Sequence, residues 1–516
     1  MVLKRFIQRT ALVFPYNKLY ALIYRLALYI FLCLAKAMLP ARAIYLKWGL
    51  DNKDFIAGLS DLDMIITIDD VDAPTEFRRI RRFFKFHSLL KNIIPLFDEF
   101  NLIATGQTIQ GWLAYGDMGA CELPFVYKPL YGDPLPKERY QHRNEKFALD
   151  CVSRAYCNYR NMLQFYLTHP HGSPIEKISA RNIFKFFTDT LRDSYRITQN
   201  KYTHFETRFE FFDFFCSAHP MPQALRDGFY DTYQSGFTLK SADLIPLSLA
   251  YLIEYMETAL RIYGPLTMDT NTAGDPDTNT ESLFKSTTAT HQKFRDFDTI
   301  ARALRAETKP AIQSIFFYPY CFYVMLGEAT TLEEKHSFLI HLKDIVSRYW
   351  ATSNRLSIGI TTNIIYHYLN HSLQFHLYAY GDRYITYLGN IDKSVSLPIL
   401  KMTMAEHAYY IRMLLGRKQI LNNEKHLPLF CNKILPALLL ALEKGHIVDD
   451  KNDIANRFRD NYPDLSRELT RLQSFATNGK LAQSSTARSH YYIFARKLLD
   501  KIFVVTEKNG FHRALN

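Results

Sequence analysis

Residues 54–70, DFIAGLSDLDMIITIDD, set two aspartates, Asp61 and Asp63, one residue apart in front of an apolar, β-branched run. The run Met64-Ile65-Ile66-Thr67-Ile68 predicts a buried strand. Side chains alternate faces along a strand, so Asp61 and Asp63 point the same way. Adjacent carboxylates repel and raise one another's pKa. A divalent cation removes that conflict, because Mg2+ takes oxygen ligands and commonly joins carboxylates to substrate phosphates. Asp69 shares their face but lies about 20 Å further along the same strand, beyond reach of a shared ion.

The chain has 516 residues, room for two to four domains at roughly 100–200 residues each. Hydrophobic residues make up 48% and aromatic residues 15%, enough for packed cores and too much for global disorder. A net charge of +12 favours anionic partners: nucleotides, nucleic acid or a membrane surface. The excess is uneven, since the first fifty residues hold eight Lys or Arg and no acid before Asp51. Seven cysteines without a CxxC pair or a zinc pattern make a disulfide framework an unsuitable reading. A reducing, cytoplasmic compartment is expected.

Within residues 1–40, a basic helical segment, Leu19 to Ala35 is almost wholly apolar but is interrupted by Arg25. It is short for a span and carries a costly central charge. Lys18, Arg25 and Lys36 fall on one helical face, which fits a core helix with a solvated stripe. The sharper alternative is a helix lying on anionic lipid, peripheral to the inner face of the membrane.

Residues 41–135 read as a small α/β core. A short strand at 42–49 ends in a glycine turn, the aspartate strand follows, and a basic amphipathic helix runs from about Thr75 towards Pro95. The stretch FNLIATG predicts another strand. Residues 136–264 are helical, and 265–292, rich in Thr, Asn, Asp and Gly, read as a linker or surface loop. Residues 293–516 are mainly helical with some strands. Among these, AIQSIFFYPYCFYVML predicts a strand pair turning at Pro319, and Thr331 with Glu334 predicts a capping box opening a helix. A second loop-like stretch covers 476–489, and no internal repeat is visible. The fold class expected is α+β: a small mixed-sheet core near the N-terminus, then a large mainly helical region.

A strand, a glycine turn and a second strand opening with Ser-Asp-x-Asp resemble the DNA polymerase β-like nucleotidyltransferase superfamily. The closer resemblance is to bacterial stand-alone nucleotidyltransferase-like proteins with an Asp-Phe-x-x-Gly-Leu-Ser-Asp-x-Asp stretch, here Asp54 to Asp63, and it extends to GWLAYGDMGACELPFVYKPLYG at 111–132. It covers residues ~40–135 only. The resemblance implies a Mg2+-dependent enzyme with two metal ions and an NTP as donor, transferring a nucleoside monophosphate to an unknown acceptor. It implies Asp61 and Asp63 as catalytic metal ligands and Gly49 and Ser60 as lining the phosphate turn. A third carboxylate from a neighbouring strand completes the set: Asp98 as a metal ligand, Glu99 as a catalytic acid, or Glu122.

The sequence departs from the pattern in two places. Trp48 or Leu50, depending on register, stands where the turn normally has a second small residue. The positions most expected to carry the third acid read Asn101 or Leu102. A catalytically degenerate module that binds nucleotide or a partner is therefore the alternative, with a basic nucleic-acid or membrane-surface protein as a third reading. Arg78, Arg79, Arg81 and Arg82 read as the solvated side of a helix, the histidines of HPHG (169–172) as a turn, and the aromatic run around Pro319 as core.

Overall fold

The computed structural model describes residues 6–7, 9–11, 13, 15–47, 50, 52, 54–60, 62–93, 102–115, 118–135, 144–239, 241, 243–264, 279–280, 295–307, 312–318, 321–349, 357–380, 385–388, 395–417, 426–445, 451–477 and 485–508. The fold is α+β, with small mixed sheets and a large helical part. The chain groups into two compact units: residues 1–143, 378–381 and 401–516, and residues 144–377 and 382–400.

In the first unit, helix α1 (Tyr16–Met38) leads into strands β1 (Ala41–Lys47) and β2 (Met64–Ile68), helix α2 (Ala73–Ile93), strand β3 (Leu102–Thr105), helices α3 (Gly106–Tyr115) and α4 (Met118–Val126), and strand β4 (Tyr127–Tyr131). The sheet order is β3-β2-β1-β4; β2 and β3 are parallel and the other two pairings antiparallel. All five residues of β2 are buried, which is why its sequence is apolar without alternation. One face of the sheet, Ala43, Tyr45, Ile65, Leu102 and Ala104, packs on Ile109, Leu113, Leu123 and Met413. Asp72 opens α2 by accepting the Thr75 N–H at 2.9 Å, and that bond holds its carboxyl below the usual range.

The second unit starts with five helices, α5 (Asn144–Thr168), α6 (Lys177–Gln199), α7 (Arg208–Ala218), α8 (Gln223–Gln234) and α9 (Leu244–Tyr263). Helix α10 (Arg295–Glu307) then leads into β5 (Ile312–Tyr318), β6 (Cys321–Leu326), α11 (Leu332–Tyr349), β7 (Ile358–Thr362), α12 (Asn363–Tyr380) and β8 (Ile385–Leu388). The predicted hairpin about Pro319 and the capping box are present: Glu334 accepts the Thr331 N–H at 2.8 Å, and Thr331 Oγ1 accepts the Glu334 N–H at 3.3 Å. A two-residue pairing joins 279–280 to 395–396; the rest of the predicted loop at 265–292 lies outside the described residues.

This second sheet repeats the first. Its order is β7-β6-β5-β8, β6 and β7 are parallel, the other pairings are antiparallel, and helices follow the second and third strands in both copies, with α12 alone where the first copy has α3 and α4. The links from helix to third strand, 94–101 and 350–357, are equally long. The repeat invisible in the sequence is therefore present in the topology. A larger difference lies between the first two strands: residues 48–63 in the first copy, residues 319–320 in the second.

The remaining helices are α13 (Leu397–Leu414), α14 (His426–Lys444, with a π-helical turn at Phe430–Ile434), α15 (Lys451–Asn461), α16 (Pro463–Thr477) and α17 (Ser485–Lys508). Helices α1 and α14 are long and apolar enough to cross a membrane; α14 is mostly buried within the protein. In the first unit Glu76, on the first turn of α2, is fully buried. It accepts from Arg412 at 3.0 and 3.2 Å, from Tyr492 Oη at 2.7 Å and from Arg496. Burial alone would lower the Arg412 pKa, but the charge of Glu76 and its hydrogen bonds outweigh it and raise it. In the second unit the residue at the same place in its helix is Lys335, also buried, donating to Glu257 at 2.8 Å. The same position carries an ion pair of opposite polarity. Replacing Glu76 with Gln is expected to cost roughly 3–5 kcal/mol in urea unfolding, because two guanidinium groups lose their buried counter-charge; Lys335→Met should destabilise comparably.

Helix α6 adds a second ionic cluster. Asp189 meets Arg192 at 2.9 Å and Arg208 at 3.0 Å, and Asp193 meets Arg196 at 2.9 Å. Burial works against the Asp189 charge, yet Arg208 and Arg192 bring its pKa down to about 2. A depressed folded pKa stabilises above the unfolded value, near ~4, and that contribution fades as pH falls through the folded value. Urea midpoints measured against pH should show about 2 kcal/mol of stability disappearing between roughly pH 4 and 2, and Asp189→Asn should flatten that slope.

Candidate functional site

The end of β1 and the start of β2 meet at one end of the first sheet. The N–H of Lys47, two residues before Gly49, donates to the carbonyl of Asp63, two residues after Asp61, at 2.9 Å. Strand β3 begins at the same end, since its parallel register sets Leu102 beside Ile65. Asp63 is half-buried, and the alternation running back from Ile65 gives it the face occupied by Tyr45, Ile109 and Leu123. Gly49, Asp61, Asp98 and Glu99 lie outside the described residues.

The loop in front of Asp63 is held from inside and from α1. Ser60 Oγ accepts the Ile56 N–H at 3.0 Å, and the Ser60 N–H donates to the Ile56 carbonyl at 2.8 Å. Tyr24 Oη, on α1, donates to the Ser60 carbonyl at 2.8 Å, and its ring packs edge-on against Phe55. Gly58 has φ +94°, and a Cβ there would sit 2.9 Å from Ala11 Cβ and 3.1 Å from the Tyr20 ring. Two features of the motif, Gly58 and Ser60, thus have packing roles that shape the loop.

None of β1, β3 or β4 carries a carboxylate. Glu122 is buried in helix α4 and lies on no strand. Asp69 is paired with Arg42 at the other end of β1. Among the described residues no three His, Cys, Asp or Glu gather to hold a metal ion. The described part of the site therefore fits Mg2+ with one hard oxygen donor, Asp63, and Asp61 is the second by sequence alone.

Sequence reasoning overlooked Lys47. It shares the face of Tyr45, ends the strand beside Asp63, and has its ammonium 6.0 Å from the Tyr127 ring centre. Lys128, exposed on β4, stands opposite Leu46. Lys128 therefore projects from the opposite face, and Lys47 is the cation beside Asp63 at the end of the sheet where an anionic ligand would meet the aspartates. The available signal was a strand that ends in Lys immediately before Trp48-Gly49.

The other candidates have ordinary settings. Arg78 and Arg82 are exposed and Arg79 and Arg81 partly so. His169 meets the Ser173 carbonyl at 3.0 Å in a turn. A cavity of about 390 Å³ in the second unit, lined by Arg261, Glu328, Asn363 and His367, contains none of the motif residues. No family model matches the chain, and no curated protein or solved structure does so either.

Substituting Gly58 with Val forces a side chain into Ala11 and Tyr20 at a left-handed φ. A loss of roughly 1–3 kcal/mol is expected. Tyr24→Phe, which deletes only the bond to Ser60, should cost about 1 kcal/mol; urea unfolding of both variants checks the pair.

Proposed function

We propose that this chain is a Mg2+-dependent nucleotidyltransferase that moves a nucleoside monophosphate from an NTP to an acceptor hydroxyl or phosphate. The observation that carries the reading is the contrast between the two sheets. The same strand order is achieved with residues 319–320 as the link in one copy, so the fold does not require the long link 48–63 in the other. That added stretch holds Gly49, Gly58, Ser60, Asp61 and Asp63. Chain added at the end of a sheet and furnished with paired aspartates is best explained by chemistry performed there.

On this reading Asp61 and Asp63 bind the metal, and Lys47, on the same face as Asp63, attracts the triphosphate. A bound divalent ion would supply charge stabilisation at the phosphate undergoing attack. The packed loop below α1 precedes Asp63 at the sheet end, and a glycine such as Gly49 has no Cβ to keep a phosphate from the backbone. The third acid is Asp98 or Glu99 if the site is complete. The absence of a carboxylate from the described neighbouring strands favours a second reading, a module that binds nucleotide without turnover.

Titration with a non-hydrolysable NTP, with and without Mg2+, tests the site. Wild type should bind one Mg2+-dependent nucleotide per chain, because only one sheet has the aspartate link. Asp61→Asn/Asp63→Asn should lose that binding, and Lys47→Ala should weaken it by roughly tenfold. Binding unchanged in the double variant, or absent from wild type, overturns the metal–nucleotide reading. Metal-dependent binding without pyrophosphate release across hydroxyl and phosphate acceptors selects the non-catalytic form.

A further inference from the structure

Helix α1 has two apolar faces, and the first unit covers one of them. Tyr20, Tyr24, Ala27, Leu28, Phe31 and Ala35 are buried, with Phe31 edge-on against Phe83 and His87 of α2. On the other side Leu19, Leu22, Leu26, Tyr29 and Cys33 are exposed, Leu22 and Tyr29 each by 66%. Their spacing of three and four residues draws a single stripe along the helix. An aqueous surface does not ordinarily display such a continuous row of large apolar side chains.

The charges beside that row identify what covers it. At about 100° per residue, Lys18, Arg25 and Lys36 form a line about 60° around the helix from the stripe, and all three are exposed. No acid occurs before Asp51. Helix α2, packed behind α1 through Phe83 and His87, itself exposes Phe86 and Leu89 together with Arg82 and Lys85. An apolar stripe flanked only by cations is complementary to a surface that is apolar inside and anionic at its boundary.

We propose that α1 docks this chain on an anionic lipid surface, lying in the plane of the interface. Leu19, Leu22, Leu26 and Tyr29 enter the boundary between headgroups and acyl chains, while Lys18, Arg25 and Lys36 meet the lipid phosphates. The helix does not span. Its opposite face is sealed against α2 and the Ser60 loop, and Tyr24 Oη is bonded to the Ser60 carbonyl, so lipid cannot surround it. Crossing the bilayer would break that packing and carry Arg25 into hydrocarbon. The proposal goes beyond the nucleotidyltransferase reading and does not depend on it.

Sedimentation of the full chain with vesicles tests the proposal. Wild type should pellet with phosphatidylglycerol/phosphatidylcholine vesicles, bind pure phosphatidylcholine weakly, and release on raising the salt. Leu22→Ser/Leu26→Ser/Tyr29→Ser should bind at least roughly tenfold less, at an unchanged melting temperature, because the three side chains make no part of the core. Lys18→Gln/Arg25→Gln/Lys36→Gln should lose the preference for anionic vesicles while the stripe remains intact. Equal vesicle binding by the serine variant and wild type overturns the proposal. So does resistance of the bound protein to alkaline carbonate, which marks a span. A wild-type dimer that ignores vesicles and becomes monomeric in the serine variant overturns it in favour of a second copy of the chain.

Discussion

The buried carboxylate of Glu76 is the constraint on which the first unit depends. It sits one turn into α2 and is met by Arg412, Tyr492 and Arg496, groups that enter the chain more than three hundred residues later. A lone carboxylate in that position would be untenable. The two guanidinium groups and the phenol together satisfy it, and they do so only when α13 and α17 are docked beside α2. Burial and the Glu76 charge keep the Tyr492 phenol protonated, so it donates to Glu76. The small sheet therefore acquires a defined helical partner through charge, and its apolar face, with Leu113 and Leu123, takes in Met413 of α13.

Lys335 occupies the corresponding place in the second unit and takes Glu257 as its partner. The same helix position thus holds a buried ionic contact in both units, with opposite sign and with partners from different helices. It also discourages exchange of partners, since a helix that satisfies Glu76 presents like charge to Lys335. Edge protection follows a similar logic. Strand β3 is covered at Ile103, whose N–H donates to the Gly416 carbonyl at 3.2 Å, and a Cβ at Gly416 would fall 1.7 Å from the Ile103 oxygen. Strand β7 is capped at Ile360, whose carbonyl accepts from Tyr156 Oη at 3.0 Å. Strands β3 and β7 are thus each met by a group from far along the chain, which limits pairing with other chains at those two edges.

Local patterns in the sequence marked β1, β2, α2, β3, the hairpin at Pro319 and the Thr331 cap, because short-range periodicity and turn chemistry decide those elements. The repeat was not legible. Its strands hold no common residues that matter to the fold, only apolar side chains of the right period, and the link that differs breaks any alignment in half. The tetrapeptide Ala-Tyr-Gly-Asp stands between the third and fourth strands of both copies, at 114–117 and 379–382, but is too short to announce a duplication. At the site, Asp63 and Ser60 were readable from the motif. Lys47 was not, since a lysine at a strand end looks the same whether it faces water or a ligand until the pairing with β2 is known. The outward stripe on α1 was hidden for a related reason: an apolar helix reads as core on every side, and only packing shows which side is left over.

Helix α1 joins the two proposed surfaces. Its inward face fixes the loop that precedes Asp63, through Tyr24 on Ser60 and Tyr20 beside Gly58. Its outward face carries the apolar stripe and its flanking cations. A force acting on the outward face is transmitted to the loop by a rigid element 23 residues long, with Tyr24 and Phe31 locked in the core. Glycine at 58 makes the contact possible and also makes it unforgiving, because a methyl group there would collide with Ala11, just ahead of α1, and crowd Tyr20 on α1. The sheet end at Asp63 is thus oriented by the same helix whose exposed side is available to a surface, and the geometry of the loop is inseparable from the seating of that helix.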